Sequence, residues 1–297
     1  MPTSALKPAR SRTTGSLHYR LRSLLVRTLV YALLVLFAII FLFPFYTMFV
    51  GSFMRNEQLF TFTPNIWPKD GFQLQNYRDL FAELPFGRNV LNSLILATGQ
   101  TVGVLFFCSL AGFTFAKRRF PGRDALFLLM LSTMMLPYQS TLIPWFLLMV
   151  KLHWLNTFLP LWIPWFAPAF GIFLMRQFIA ASVPDDLVEA AVMDGASLFG
   201  IYWRVILPVS TPALTVLGIL NFMNAYNDFL YSLLVLSKTH MYTAPLALAL
   251  FRGSQITAPR YTLMFAGSVL ATLPLLVVFF LFQKRLMEGI MSGAIKG

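Results

Sequence analysis

Glu189-Ala190-Ala191-Val192-Met193-Asp194-Gly195-Ala196 is a polar, acidic stretch in an otherwise apolar chain, and its reading decides how the rest is organised. Just upstream, Ser182-Val183-Pro184-Asp185 reads as a helix start. Ser182 is placed to cap, Asp185 stands three residues later in capping-box position, and a first turn tolerates the proline. The helix is expected to run to about Asp194, because Gly195 takes the left-handed conformation that ends helices. A second short helix over 198–206 is expected to stop before Pro208, since the residue ahead of a proline disfavours the α region. Helix, tight glycine turn, helix makes a compact knob, too polar at its tip for lipid. Between membrane spans, and with no chemistry of its own, such a knob is most simply a docking element for another protein.

Composition fixes the solvent. Of 297 residues, 58% are hydrophobic and only 11% charged, with a mean hydropathy of +0.70. A soluble domain carries about a quarter charged residues, so the chain is an integral membrane protein that meets lipid. Its net charge of +12 reads as lysines and arginines flanking spans on the cytoplasmic side rather than as a nucleic-acid surface. The single cysteine, Cys108, lies in an apolar run and excludes an intramolecular disulfide.

Residues 1–23 are basic and polar and read as a disordered tail, extending to residue 27 as a cytoplasmic segment. The apolar run over 28–50 is too long for a signal-peptide core and is the first span. Further stretches of about 20 residues, enough to cross the hydrocarbon, fall at 90–116, 125–150, 157–175, 212–236 and 261–282. The expected fold is therefore all-α: six transmembrane helices over 28–282, a cytoplasmic helix-turn-helix loop at 176–211 between spans 4 and 5, and a C-terminal tail at 283–297. Prolines interrupt several spans, most densely at Pro160, Pro164 and Pro168 in the fourth. Gly99 and Gly103 in the second span have the GxxxG spacing that allows close helix approach.

Orientation follows from counting lysine and arginine. Fifteen of the twenty-three fall in the N-terminal tail, the 117–123 connection, the 176–211 loop and the C-terminal tail. Both termini and the knob are thus expected in the cytoplasm. The long loop at 51–88 lies outside, with four basic and four acidic residues. It reads either as a lid on its own bundle or as a docking face, with a short interfacial helix over 75–81.

Polar residues inside spans are the candidates for a solute path, because a charge there costs about 2.5–3.5 kcal/mol on insertion scales. In the fifth span Asn221, Asn224, Asn227, Asp228 and Tyr231 stand at offsets that make one stripe of a helix. Amides, a carboxylate and a phenol suit hydroxyl-rich ligands. The same groups also serve as glue between helices, and both readings stay open. Asn92, with Ser93, Tyr138, Gln139 and Ser140, forms a second, weaker set.

The run Glu189-Ala190-Ala191, then Asp194-Gly195-Ala196, then Leu207-Pro208 resembles the EAA loop of ABC-importer permeases, with ungapped spacing. That resemblance implies an ATPase-coupling role for Glu189, Ala190, Ala191, Asp194, Gly195, Ala196 and Pro208. Asn89-Val90-Leu91-Asn92-Ser93, Phe120-Pro121-Gly122-Arg123, Tyr226-Asn227-Asp228-Phe229-Leu230 and Ser292-Gly293-Ala294-Ile295-Lys296-Gly297 resemble the carbohydrate branch of that family. The likeness is to its smaller maltose-type subunit and runs from the first span to the last residue. It departs at Tyr226, where the family often has Trp. The resemblance implies a permease in a bacterial-type cytoplasmic membrane that moves a sugar or related polyhydroxylated solute. The implied partners are an ABC ATPase dimer holding ATP and Mg, a second homologous permease subunit, and an extracytoplasmic solute-binding protein. It also implies a second ATPase contact through the tail, at Gly293, Lys296 and Gly297.

Catalytic chemistry is absent from the sequence. His18, His153 and His240 are scattered, with no Cys or His cluster at metal-ligand spacing, and no GxxxxGK[ST] phosphate loop occurs. Neither an enzyme, nor a cofactor in this chain, nor a nucleic-acid partner is expected. The competing class is an ion-coupled secondary transporter built on the intramembrane Asp228, which leaves the acidic knob unexplained.

Overall fold

The computed structural model describes residues 15–59, 61, 65–254 and 260–294, and every regular element among them is a helix. Arg22–Gly51, Phe86–Lys117, Leu159–Ser182 and Tyr261–Lys284 are long and apolar enough to cross a membrane. Two bent pairs, Arg123–Met135 with Tyr138–Lys151 and Leu198–Val209 with Thr211–Tyr226, bring the total to six if each counts as one span. The chain is an all-α membrane protein with four to six such spans.

Several helices depart from the simple hydropathy reading, each for a local reason. The stretch at 125–150 is not one rod: it bends by 95° where Leu136 turns extended ahead of Pro137. The fourth span begins as the short turns Leu159–Trp162 and Ile163–Trp165 and becomes a regular α-helix only at Ala169–Ser182, after Pro168. The stretch at 212–236 also breaks, into Thr211–Tyr226 and Leu230–Val235. Pro44 and Pro274, by contrast, sit inside continuous helices. Helix begins at Gly15, inside the segment read as disordered, and the last helix, Tyr261–Ala294, runs on into the 283–297 tail. Residues 1–14 of the tail, and Lys296 and Gly297, lie outside the described residues.

The centre of the bundle is the helix Phe86–Lys117, which packs along the fourth span through its small residues. A Cβ added at Gly99 would meet the Trp162 ring at 2.7 Å, and one at Gly103 would meet the Phe166 ring at 2.0 Å. The GxxxG pair therefore receives aromatic rings. A Cβ added at Gly112 would stand 2.6 Å from Met175 Cβ and 2.9 Å from Arg176 N, so there the helix approaches its neighbour's backbone. From the other helix, Gly171 admits Cys108, whose Sγ stands 2.7 Å from the added Cβ position. Close approach of this kind is how membrane helices gain packing when lipid supplies no hydrophobic drive.

The 51–88 loop folds back on its own bundle. Its helix Gln75–Glu83 buries Leu80 with Phe86, Ala244, Phe251 and Leu263. Asn76 Nδ2 donates to the carbonyls of Ser52 and Met54 at 2.8 and 2.9 Å, and Arg260 pairs with Glu83. An additional helix, Ala244–Ser254, fits between the second and last spans. The first helix is different: from Leu24 to Phe49 nearly all its large apolar side chains are exposed, the surface expected of a helix facing lipid or another subunit.

Gly112→Leu forces the second and fourth spans apart and should destabilise the bundle by about 1–3 kcal/mol. Gly218→Ala is the control, since its Cβ would meet Leu105 at an ordinary 3.5 Å. A lower thermal-unfolding midpoint in detergent for the first variant only is the expected result.

Candidate functional site: a polar knob and a central cavity

The knob is built from the helix Asp185–Met193, a turn at Gly195, and the helical segment Leu198–Val209. Gly195 has φ +79° with open space around its Cβ position; the positive φ alone calls for glycine there. Asp194 N–H donates to Ala190 O at 2.9 Å and Ala196 N–H to Ala191 O at 3.0 Å, closing the turn. Ser197 caps the second helix, its Oγ accepting from Gly200 N–H at 3.1 Å.

Two local expectations fail. Ser182 does not cap the knob helix: it is the last residue of the preceding one, because Pro184 forces Val183 into extended backbone. The helix start at Asp185 has no side-chain cap, and Asp185 and Asp186 complement its dipole instead. The second helix does not stop before Pro208. Tyr202–Ile206 is a π-helical turn in which Leu207 N–H reaches back five residues to Tyr202 O, and the chain stays helical through Val209. The widened turn relieves the crowding that a proline ring creates against the preceding turn.

Glu189, Ala190, Asp194 and Gly195 are exposed, and Ala191 and Ala196 are half-buried against the bundle. Beside the acids lies a face missed by reading the knob as polar. Met193 is 86% exposed, and Val192, Leu198, Phe199 and Trp203 are exposed with it, the Phe199 and Trp203 rings stacked at 6.2 Å. The signal was in the sequence, since these apolar residues flank Gly195, but the acids masked it. The opposite face is buried: Val188, Ile201, Tyr202 and Ile206 join one apolar cluster with Val104, Cys108, Met175, Ile179 and Leu217 of the spans. Within it Tyr202 OH and Ser109 Oγ are hydrogen-bonded at 2.8 Å. At the rim, Lys117 at the end of the second span holds Asp185 at 2.5 Å. That hydrogen bond, then the lysine's charge, holds the Asp185 carboxyl below the usual carboxylate range.

The polar stripe is not continuous along one helix. The helix ends at Tyr226, Asn227 and Asp228 occupy the break, and Tyr231 belongs to the next helix. The break is made by the polar side chains. Asn227 Nδ2 donates to Met223 O at 2.8 Å, and Asp228 Oδ2 accepts from Ser232 N–H and Oγ, each at 2.8 Å. Such local bonds compete with the helical ladder. The five residues nevertheless meet in space: Asn221, Asn224, Asn227, Asp228 and Tyr231 all border a cavity of about 580 Å³.

Gln100 from the second span and Tyr138, Trp165, Phe170 and Phe229 complete its polar and aromatic lining. Tyr231 is itself caged, edge-on to Trp145 and Trp165 with ring centroids 4.8 Å away in each case. Asn221 does both jobs, since its amide also donates to Thr101 Oγ1 at 3.1 Å. Asn92 does not border the cavity. It is buried and donates to the carbonyls of His240 and Tyr242, each at 2.9 Å, tying down the 239–242 turn. Gly293 falls within the last helix, while Lys296 and Gly297 are outside the described residues. Among the described residues no group of three His, Cys, Asp or Glu is placed to hold a metal.

The exposed helix-turn-helix and a largely apolar, open cavity with a polar strip sit on an all-helical membrane bundle, and the chain belongs to a family of membrane transport components. Residues 108–291 match the family described as the binding-protein-dependent transport system inner membrane component. Over 266 residues the chain is 34% identical to the arabinooligosaccharides transport system permease protein AraQ of Bacillus subtilis, spanning 88% of this chain and 92% of that one. It is 35% identical over 268 residues to the trehalose/maltose transport system permease protein MalG of Thermococcus litoralis, spanning 89% and 94%. Its fold also matches a crystal structure of a bacterial ABC transporter involved in the import of the acidic polysaccharide alginate. The TM-score is 0.78 at 23% identity, over 94% of this chain and 99% of that one. The relatives are permease components of transport systems, not enzymes.

Because the Asp185 carboxyl titrates low when folded, its bond to Lys117 stabilises the folded chain above the unfolded carboxylate value of about 3.9 and is lost as pH falls through the lower folded value. Asp185→Asn should therefore lower the thermal midpoint slightly at pH 7, with the gap to wild type closing below about pH 4. A gap unchanged with pH would contradict the pairing.

Proposed function

We propose that the chain is one of two permease subunits of an ATP-driven importer that takes a sugar or related polyhydroxylated solute from an extracytoplasmic binding protein. The observation that carries this reading is the knob: outward it presents Glu189, Val192, Met193 and Phe199, and inward it is fused to the spans through Val188, Tyr202 and Ile206. An exposed apolar patch with an acidic rim marks a protein-binding surface. In this proposal six spans cross the bacterial cytoplasmic membrane, with both termini and the 176–211 loop inside. The ATPase dimer grips the loop, and ATP and Mg are held there rather than in this chain. Glu189, Ala190, Ala191, Asp194, Gly195, Ala196 and Pro208 form the coupling element, joined by the tail residues Gly293, Lys296 and Gly297.

Outside, the 51–88 loop exposes Ile66, Trp67, Phe72, Leu74 and Phe81, a face suited to a binding protein. Closure of the ATPase displaces the knob, and the packed spans tilt with it against the second permease. The cavity bordered by Asn221, Asn224, Asn227, Asp228 and Tyr231 is then opened alternately to the two sides. Such a device needs an element with different contacts in its two states; the knob in its cleft is that element. An ion-coupled transporter would need no such knob and would run on a gradient without nucleotide.

Gly195→Pro cannot adopt φ +79° and destroys the turn. In proteoliposomes of the assembled complex, ATP-driven uptake should fall at least about tenfold, the loss of some 1.4 kcal/mol of coupling, while the permease still inserts. Normal uptake by this variant, or labelling of Glu189→Cys from outside intact cells, would refute the docking role. Replacing Asn227 and Asp228 together by Leu should impair uptake but spare assembly; loss of assembly would instead mark them as packing groups.

A further inference from the structure

The cavity differs on its two kinds of wall, and the difference bears on solute charge. Its polar side chains are the amides of Gln100, Asn221, Asn224 and Asn227, the Asp228 carboxyl, the phenols of Tyr138 and Tyr231 and the Trp165 indole. Among the described residues bordering it there is no lysine, arginine or histidine. Amides, phenols and an indole carry no positive charge, and the remaining group, Asp228, is an acid that repels an anion when ionised and offers it no counter-charge when protonated. Asp228 accepts from Ser232 N–H and Oγ, and these bonds orient its carboxyl group at the break.

The backbone supplies little in compensation. The helix Ala169–Ser182 starts at the cavity, beside Pro168 and Gly171. The positive end of its dipole amounts to about half a charge, less than the full charge of an arginine or lysine. Recognition of a phosphate or carboxylate ordinarily uses arginine or lysine in charge-assisted pairs. Taking an anion out of water without them costs several kcal/mol.

A neutral carbohydrate meets no such cost. Its hydroxyls pair with amide donors and acceptors, and its C–H faces pack on Tyr138, Trp165 and Phe229. The cavity, at about 580 Å³, is within the roughly 300–1,000 Å³ range of small-ligand sites. The fold does not impose this choice, since a chain of similar fold belongs to a transporter of an acidic polysaccharide.

We propose that this cavity selects uncharged polyhydroxylated solutes and rejects sugar phosphates and uronates, with Asn224 and Asp228 as the specificity-determining residues. The inference rests on the transport reading above and deepens it. The test uses the whole complex with its binding protein in proteoliposomes loaded with ATP. The probes are radiolabelled maltotriose, arabinotriose, trigalacturonate and sn-glycerol 3-phosphate. Uptake of a neutral probe should exceed that of both anionic probes by at least tenfold, and Asn224→Arg should shift this ratio at least tenfold toward the anions. Anionic uptake equal to or above neutral uptake overturns the selectivity and leaves the transport reading intact. A ratio unmoved by Asn224→Arg removes this cavity as the selector. Absence of ATP-dependent uptake for every probe sinks the transport reading and the inference with it.

Discussion

The close contact between the helix Phe86–Lys117 and the fourth span is the constraint on which the rest of the structure depends. Glycines at 99, 103 and 112 let Trp162, Phe166 and the Met175 backbone into positions that any larger side chain would occupy. Cys108 and Gly171 complete the seam from the other side. Because lipid rewards such packing only through van der Waals contact and local bonds, the seam has to be tight along its length. It brings the knob and the cavity onto one body. Tyr202 and Ile206 of the knob share a buried cluster with Val104, Cys108 and Leu217, and Leu217 and Gly171 also border the cavity.

Under the proposed coupling, that continuity gives a physical account of how a push at the knob would reach the cavity without a special relay. A densely packed interior transmits displacement because it has few voids in which to absorb it. The hydrogen bond between Tyr202 and Ser109 and the pair formed by Lys117 and Asp185 fix the knob at its centre and at its rim. The π turn at Tyr202–Ile206 allows the chain to remain helical into Pro208, so no flexible joint separates the knob from the fifth span's start other than the bend near Ser210.

Much of this was legible in the sequence, for reasons that differ by element. The apolar runs and the glycine turn were readable because hydrocarbon thickness and positive φ constrain composition directly. Gly195 is the clear case. Helix interruptions were not, because they depend on side chains capturing backbone groups: Asn227 and Asp228 look like a helical stripe by spacing, yet they end the helix. The residues still converge on one cavity, because a break turns the chain without removing them from the same side of the bundle. Asn92 shows the reverse. A polar residue in a span reads as a path candidate, and only the neighbouring carbonyls of His240 and Tyr242 reveal that it holds a turn. The apolar face at Met193 and Phe199 was hidden by the acids beside it, since sequence order does not say which residues share a surface.

The central claim is that the knob and the cavity wall move as one body. It is tested most directly by spin-label distances in the assembled complex, between Met193→Cys at the knob tip and Leu220→Cys at the cavity edge, with Cys108 replaced by Ser. On this account the distance stays constant between nucleotide-free and ATP-bound states, while distances from either label to the second permease change. A change between the two labels of a helical turn, about 5 Å or more, would contradict it.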